Sequence, residues 1–112
     1  MGKELVENTL AGYNSCLFAY GQTGTGKTLT MTGNHEQEGL VQRCFKELLE
    51  KLYNTKEIDS YEINMTFLEI YNENINDLLN DRRREISVRE KPKSHFYVEG
   101  LLKQRLDGWE DF

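Results

Sequence analysis

The clearest hydrophobic pattern in the chain runs from Leu40 to Tyr53. Leu40, Val41, Cys44, Phe45, Leu48, Leu49 and Leu52 recur at steps of three and four, which places them on one face of an amphipathic helix. An apolar face of that width needs cover, and the pattern predicts a helix packed on a sheet. Glu47 and Lys51 form an i,i+4 pair on the wet side, worth about 0.2–0.5 kcal/mol. A different period follows. Tyr61, Ile63, Met65 and Phe67 alternate with Glu62, Asn64 and Thr66, which predicts a strand with one buried face. The alternation stops at Leu68 and Ile70. Asn72 is then placed to cap a short helix carrying Ile75, Leu78 and Leu79. Ile86–Arg89 and Phe96–Val98 flank Lys91-Pro92-Lys93-Ser94 and read as a small antiparallel hairpin, with Pro92 in the turn where it removes no ladder bond. The last seven residues, from Leu106, read as the opening of a helix with Asp107 as cap and acids in its first turn.

The first half of the chain carries the candidate chemistry. Leu5, Val6 and Leu10 followed by Gly12 read as the end of a short helix with a glycine stop. Leu17-Phe18-Ala19-Tyr20 is a short apolar run with aromatics and predicts a buried strand. Gly21-Gln22-Thr23-Gly24-Thr25-Gly26-Lys27-Thr28 then fits the phosphate-loop pattern G-x-x-x-x-G-K-[ST] at every fixed position. The glycines let backbone approach phosphate oxygens without a Cβ in the way. Successive N–H groups form an anion-binding concavity, and a helix beginning near Lys27 adds its own unsatisfied N–H groups. Lys27 is placed to reach the β- and γ-phosphates, and the Thr28 hydroxyl to ligate Mg²⁺. Strand, glycine loop and helix is the order this chemistry requires. Residues 21 to 28 are therefore the expected binding residues for ATP or GTP, with Thr28 the expected metal ligand. Gly33 to Gly39 is a polar loop bounded by glycine.

Composition narrows the field. At 112 residues the chain is one domain or part of one. A net charge of −5 gives no broad basic surface, so nucleic acid is not an expected partner. No run of about 18 apolar residues suggests a membrane span, and the first residues carry no apolar secretory core. Cys16 and Cys44 sit in apolar segments and read as reduced, buried thiols of a cytosolic protein. His35 and His95 each stand alone, without a second ligand at metal spacing. Asp81-Arg82-Arg83-Arg84-Glu85 reads as a solvated charged turn ahead of a partner patch. Glu69 reads as a hydrogen-bonded structural carboxylate; ligating magnesium at a strand end is the alternative.

The segment from Leu10 to Met31, with G-Y-N, an apolar run ending in F-A-Y-G-Q-T, then G-K-T and T-M, resembles the kinesin motor domain. Glu38-Gly39-Leu40-Val41-Gln42-Arg43 resembles that family's helix restart after a variable loop. Phe67-Leu68-Glu69-Ile70-Tyr71-Asn72-Glu73 with Asp77-Leu78-Leu79 resembles its strand and following helix, and Tyr97-Val98-Glu99-Gly100-Leu101 the strand before its third helix. The resemblance covers essentially the whole chain. It implies an α/β fold of P-loop NTPase type: three layers with a mixed central sheet flanked by helices, incomplete here, plus a small antiparallel hairpin, all as one partial motor domain over residues 1–112. It implies ATP and Mg²⁺ as cofactors and a microtubule-stimulated ATPase in the full-length parent, with tubulin as partner and the cytoplasmic cytoskeleton as location. Tyr20 and Gln22 are expected to be structural. Position 29 is Leu, where some members carry a base-contacting histidine. The family's Arg-x-Arg-Pro segment and its switch strings, N-x-x-S-S-R-S-H and D-L-A-G-S-E, do not occur in the sequence. The 112 residues alone are thus expected to bind Mg-ATP at most weakly and to show no microtubule-stimulated turnover. A non-enzymatic interaction module that keeps the loop is the second reading, and an unrelated P-loop kinase or GTPase the third.

Overall fold

The computed structural model describes residues 2–80, 85–92 and 95–111. The elements in order are α1 (Gly2–Leu10), α2 (Lys27–Thr32), α3 (Leu40–Asn54), β1 (Ile63–Met65), β2 (Leu68–Tyr71), β3 (Asn74–Asp77), β4 (Ser87–Lys91), β5 (His95–Glu99), β6 (Gln104–Leu106) and a 3₁₀ turn at Trp109–Asp111. They fall into two compact units, Met1–Tyr61 with Gly108–Phe112, and Glu62–Asp107.

The first unit is helical. The glycine stop after α1 forms as expected: Gly12 adopts φ 89°, its N–H reaches Thr9 O at 3.0 Å, and Tyr13 N–H reaches Asn8 O at 2.9 Å. This is the paired bonding that closes a helix on a left-handed residue. The amphipathic helix also forms, as α3, and within this unit the described residues against it are helical rather than sheet. It packs against α1, α2 and the 3₁₀ turn. Val6, Phe45 and Leu52 are buried, and Phe45 stacks on Trp109 with ring centroids 6.1 Å apart. Lys51 bridges α3 to α1 through Glu7 at 3.2 Å and lies 3.9 Å from Glu47, the expected i,i+4 partner.

The strand expected at Leu17–Tyr20 is absent. The residues are irregular, and Phe18 and Tyr20 are 80% and 95% exposed. A strand exists through ladder bonds to a neighbour, and among the described residues no strand pairs with this run. Cys16 is consequently exposed, against expectation. Cys44 on α3 is half-buried and burial pushes its thiol pKa up. Both thiols are free, as expected.

Among the described residues, the second unit holds three antiparallel pairs, β1–β6, β2–β3 and β4–β5. The strand expected over Tyr61–Phe67 contracts to β1, which pairs Ile63 with Leu106. The β4–β5 hairpin forms as expected, from Ser87↔Glu99 to Lys91↔His95, and Arg89 Nε donates to Glu99 Oε2 at 2.9 Å. Most of the expected charged turn, residues 81–84, lies outside the described residues, as do Lys93 and Ser94.

The helix expected after Asn72 is overturned. Asn72 and Glu73 have φ of 49° and 62° and join β2 to β3, pairing Tyr71 with Asn74. Positive φ at both central positions is the geometry of a two-residue hairpin turn whose twist matches its strands. Asn tolerates it well, so the side chain that suggested a cap serves a turn. Asp77 ends β3 as a clasp: Oδ1 accepts from Leu79 N at 3.0 Å and Oδ2 from Leu102 N at 2.7 Å. Asp77→Ala leaves both N–H groups without an acceptor, so a loss of about 1–3 kcal/mol is expected in urea unfolding. Asp77→Asn keeps one acceptor oxygen and is expected to fall between. The helix expected near the C-terminal end is only the single 3₁₀ turn, in which Gly108 N–H reaches Asp111 Oδ2 at 3.1 Å.

Candidate functional site

The glycine loop lies wholly within the first unit. Gly24 and Gly26 both have φ of 86°, in the left-handed region, and a Cβ built on either meets nothing within 4 Å. Their absence of side chain therefore serves backbone conformation and leaves the loop's concave side open. Thr25 closes the loop from within, its hydroxyl donating to Gln22 O at 2.8 Å. Gly26 is the N-cap of α2 and brings no capping side chain. The first turn of a helix has N–H groups without intrahelical partners. Among the described residues, no acceptor serves the N–H groups of Lys27 and Thr28, nor those of Gly24 and Gly26.

Lys27 is the best-fixed side chain of the set. Its Nζ donates to Gly21 O and Gln22 O, each at 2.7 Å, which folds the side chain back across the loop it follows. One ammonium and four N–H groups thus sit on one short segment with little negative charge to offset them. The arrangement suits an anion with several oxygens. The Thr28 hydroxyl has no hydrogen-bond partner among the described residues and stands on an exposed residue. It is an available hard oxygen of the kind Mg²⁺ takes alongside phosphate oxygens and water. No group of three or more His, Cys, Asp or Glu that would hold a metal occurs among the described residues.

The structure brings all eight expected residues, Gly21 to Thr28, into this one loop and helix start. Gln22 takes part through its backbone carbonyl, whereas Tyr20 is almost fully exposed and supports nothing described. Leu29 is 46% exposed on α2. Glu69 accepts from Asn76 Nδ2 at 2.9 Å across the β2–β3 hairpin, the structural role expected of it. His35 and His95 are exposed.

The anchoring of α2 has no counterpart in the sequence pattern of its own residues. The chain leaves α2 at Gly33 and returns to α3 at Gly39, with a bridge between Gly33 and Glu38. Asn34 Oδ1 accepts from Glu36 N at 3.0 Å and Gln37 N at 2.8 Å. Asn directly after a glycine, opening a short polar loop, was the available signal for this turn. Glu38 also pairs with Lys46, whose ammonium lies 4.3 Å over the Trp109 ring.

The family model for the kinesin motor domain matches residues 1–112. The human kinesin-like protein KIF13B is 39% identical over 114 residues, which cover 99% of this chain and 6% of that protein. The mouse kinesin-like protein KIF14 is 41% identical over 115 residues, covering 96% of this chain and 7% of that protein. Among solved structures, a KIF14 dimer in the two-heads-bound state, with AMP-PNP and in complex with a microtubule, aligns with a TM-score of 0.85 at 40% identity. It covers 96% of this chain and 31% of that one. The chain thus spans less than a tenth of the length of these curated relatives.

Proposed function

The chain belongs to the kinesin motor domain family, and from that premise we propose that Gly21–Thr28 is the ATP-phosphate cradle of a kinesin-like microtubule motor. The family carries an α/β P-loop NTPase-type fold, as the alignment with the KIF14 structure implies. The two compact units are read as parts of one motor domain, whose three layers and mixed central sheet are completed by sequence beyond these residues. The observation that carries the reading is the loop itself: Lys27 held by two carbonyls beside four N–H groups without acceptors.

Each residue has a task in that cradle. The N–H groups of Gly24, Gly26, Lys27 and Thr28 bind phosphate oxygens, and Gly24 and Gly26 hold the backbone in the curve that aims them. Lys27 neutralises charge on the β- and γ-phosphates, and the carbonyls of Gly21 and Gln22 orient its ammonium. Thr28 would hold Mg²⁺, which supplies charge neutralisation across the phosphates when bound. Phosphoryl transfer also needs groups that position water and sense the γ-phosphate. The cradle supplies neither, and the switch strings are not in the sequence. Microtubule-stimulated turnover, and with it a place on the cytoplasmic cytoskeleton, therefore belongs to the longer parent.

The test compares phosphate release with and without microtubules. The 112-residue chain is expected to show no stimulation. A longer protein carrying these residues and both switch strings is expected to be stimulated, and to lose stimulation with Lys27→Ala. Stimulated turnover by the short chain, or a longer protein indifferent to Lys27, contradicts the proposal.

A further inference from the structure

We infer that Gln42 is a positioning residue for the phosphate loop: it clamps the C-terminal end of α2, the helix whose first two residues are Lys27 and Thr28. The starting point is the weakness of α2. It has six residues, no side-chain cap at its start and no basic residue in its last turn. A helix of that length does not hold itself, because nucleation costs more than one turn returns. Its stability must come from neighbours at its far end, since its near end is committed to the loop.

The far end is gripped in two ways. The backbone folds back so tightly that a Cβ at Gly39 would lie 2.3 Å from Met31 O, which brings the first turn of α3 against the last turn of α2. From that turn, Gln42 Nε2 donates to Thr32 O across ten residues. In a capping box, a Gln at the third position turns back to the N-cap N–H; here the N-cap is Gly39 and Gln42 reaches the preceding helix. The orientation of the amide is fixed by chemistry, since the reverse would place two acceptors face to face. The other half, Gln42 Oε1, is buried without a hydrogen-bond partner. A buried acceptor left unpaired is unfavourable, so Gln42 occupies this site at a cost that the bond to Thr32 O must offset. The bond also places a donor on the carbonyl end of α2, where the helix dipole favours positive charge.

The consequence for nucleotide rests on the proposed function; the clamp itself does not. Hydrogen–deuterium exchange on the 112-residue chain reads the clamp directly at the amides of Thr30 to Gly33, where Thr30 N–H bonds Gly26 O and Gly33 N–H bonds Leu29 O. Gln42→Leu and Gln42→Glu remove the donor and are expected to speed exchange there roughly threefold to tenfold, with the amides of Phe45 to Tyr53 unchanged. Gln42→Lys restores a donor and is expected to restore protection. A rescue by charge and reach, without recovery of the amide shape, separates positioning from packing. Unchanged exchange in the Leu variant, equal acceleration along α3, or failure of Lys to rescue overturns the clamp. Mg-ATP titrated into the same variants reads the second step, with affinity expected to follow the exchange pattern. If the wild-type chain binds no Mg-ATP while the exchange pattern holds, the cradle reading falls and the clamp stands.

Discussion

Lys27→Ala is expected to remove Mg-ATP binding by these residues, weakening it roughly 100-fold or more. Hydrogen bonds to charged groups contribute about 1.5–3 kcal/mol each, and the ammonium is placed to make more than one to a polyphosphate. The substitution also frees the carbonyls of Gly21 and Gln22, which the ammonium holds at 2.7 Å, so the loop loses an internal tie as well as a ligand contact. Both carbonyls can turn to water, and little change in unfolding midpoint is expected. Lys27→Arg separates the two roles. Its planar fork can still bond carbonyls but does not reproduce a compact point charge, so the loop is expected to keep its shape and binding to stay weak. Titration calorimetry with Mg-ATP, paired with a thermal melt of each variant, checks both statements. A Lys27→Ala chain that binds as the wild type does removes the loop from the account.

Gly39→Ala is expected to be strongly damaging to the first unit. The added Cβ would sit 2.3 Å from Met31 O and 2.5 Å from Gly33 N. Both are backbone atoms, so no side chain can swing away, and overpacking of this kind costs about 1–3 kcal/mol or more. Gly39 has an ordinary φ of −78°, so the penalty is steric alone. Gly24→Ala supplies the contrast. Its Cβ meets nothing within 4 Å, and the cost is that of a left-handed φ, about 1–2 kcal/mol. Gly39→Ala is therefore expected to lower stability and detach α2 from α3, while Gly24→Ala leaves α3 intact. Urea unfolding with helix content followed by circular dichroism distinguishes them. Equal, small effects from both would show that the Gly33–Gly39 crossing is loose.

Legibility in the sequence followed how local each feature is. The glycine loop and the start of α2 were readable because the pattern that marks them occupies eight consecutive residues. α3 was readable because its apolar residues keep a helical period over four turns. The hairpin β4–β5 was readable because its turn lies between two short apolar runs. Features that depend on a distant neighbour were not. Leu17–Tyr20 has the composition of a strand, but composition supplies no ladder partner. The face of α3 announces burial without naming α1, α2 and Trp109 as what covers it. Asn72 is equally suited to a helix cap and to a left-handed turn, and the pairing of β2 with β3 decides between them. Asp77 and Gln42 act through backbone groups 25 and ten residues away, contacts for which no local pattern exists.

In the proposed cradle the backbone of residues 24 to 28 receives a phosphate chain. Amide chemical shifts of the ¹⁵N-labelled chain, followed during titration with Mg-ATP, test it most directly. Downfield amide-proton shifts are expected at Gly24, Gly26, Lys27 and Thr28, absent in the Lys27→Ala chain. Shifts that leave these four amides in place, whether scattered over the surface or confined to the second unit, would contradict it.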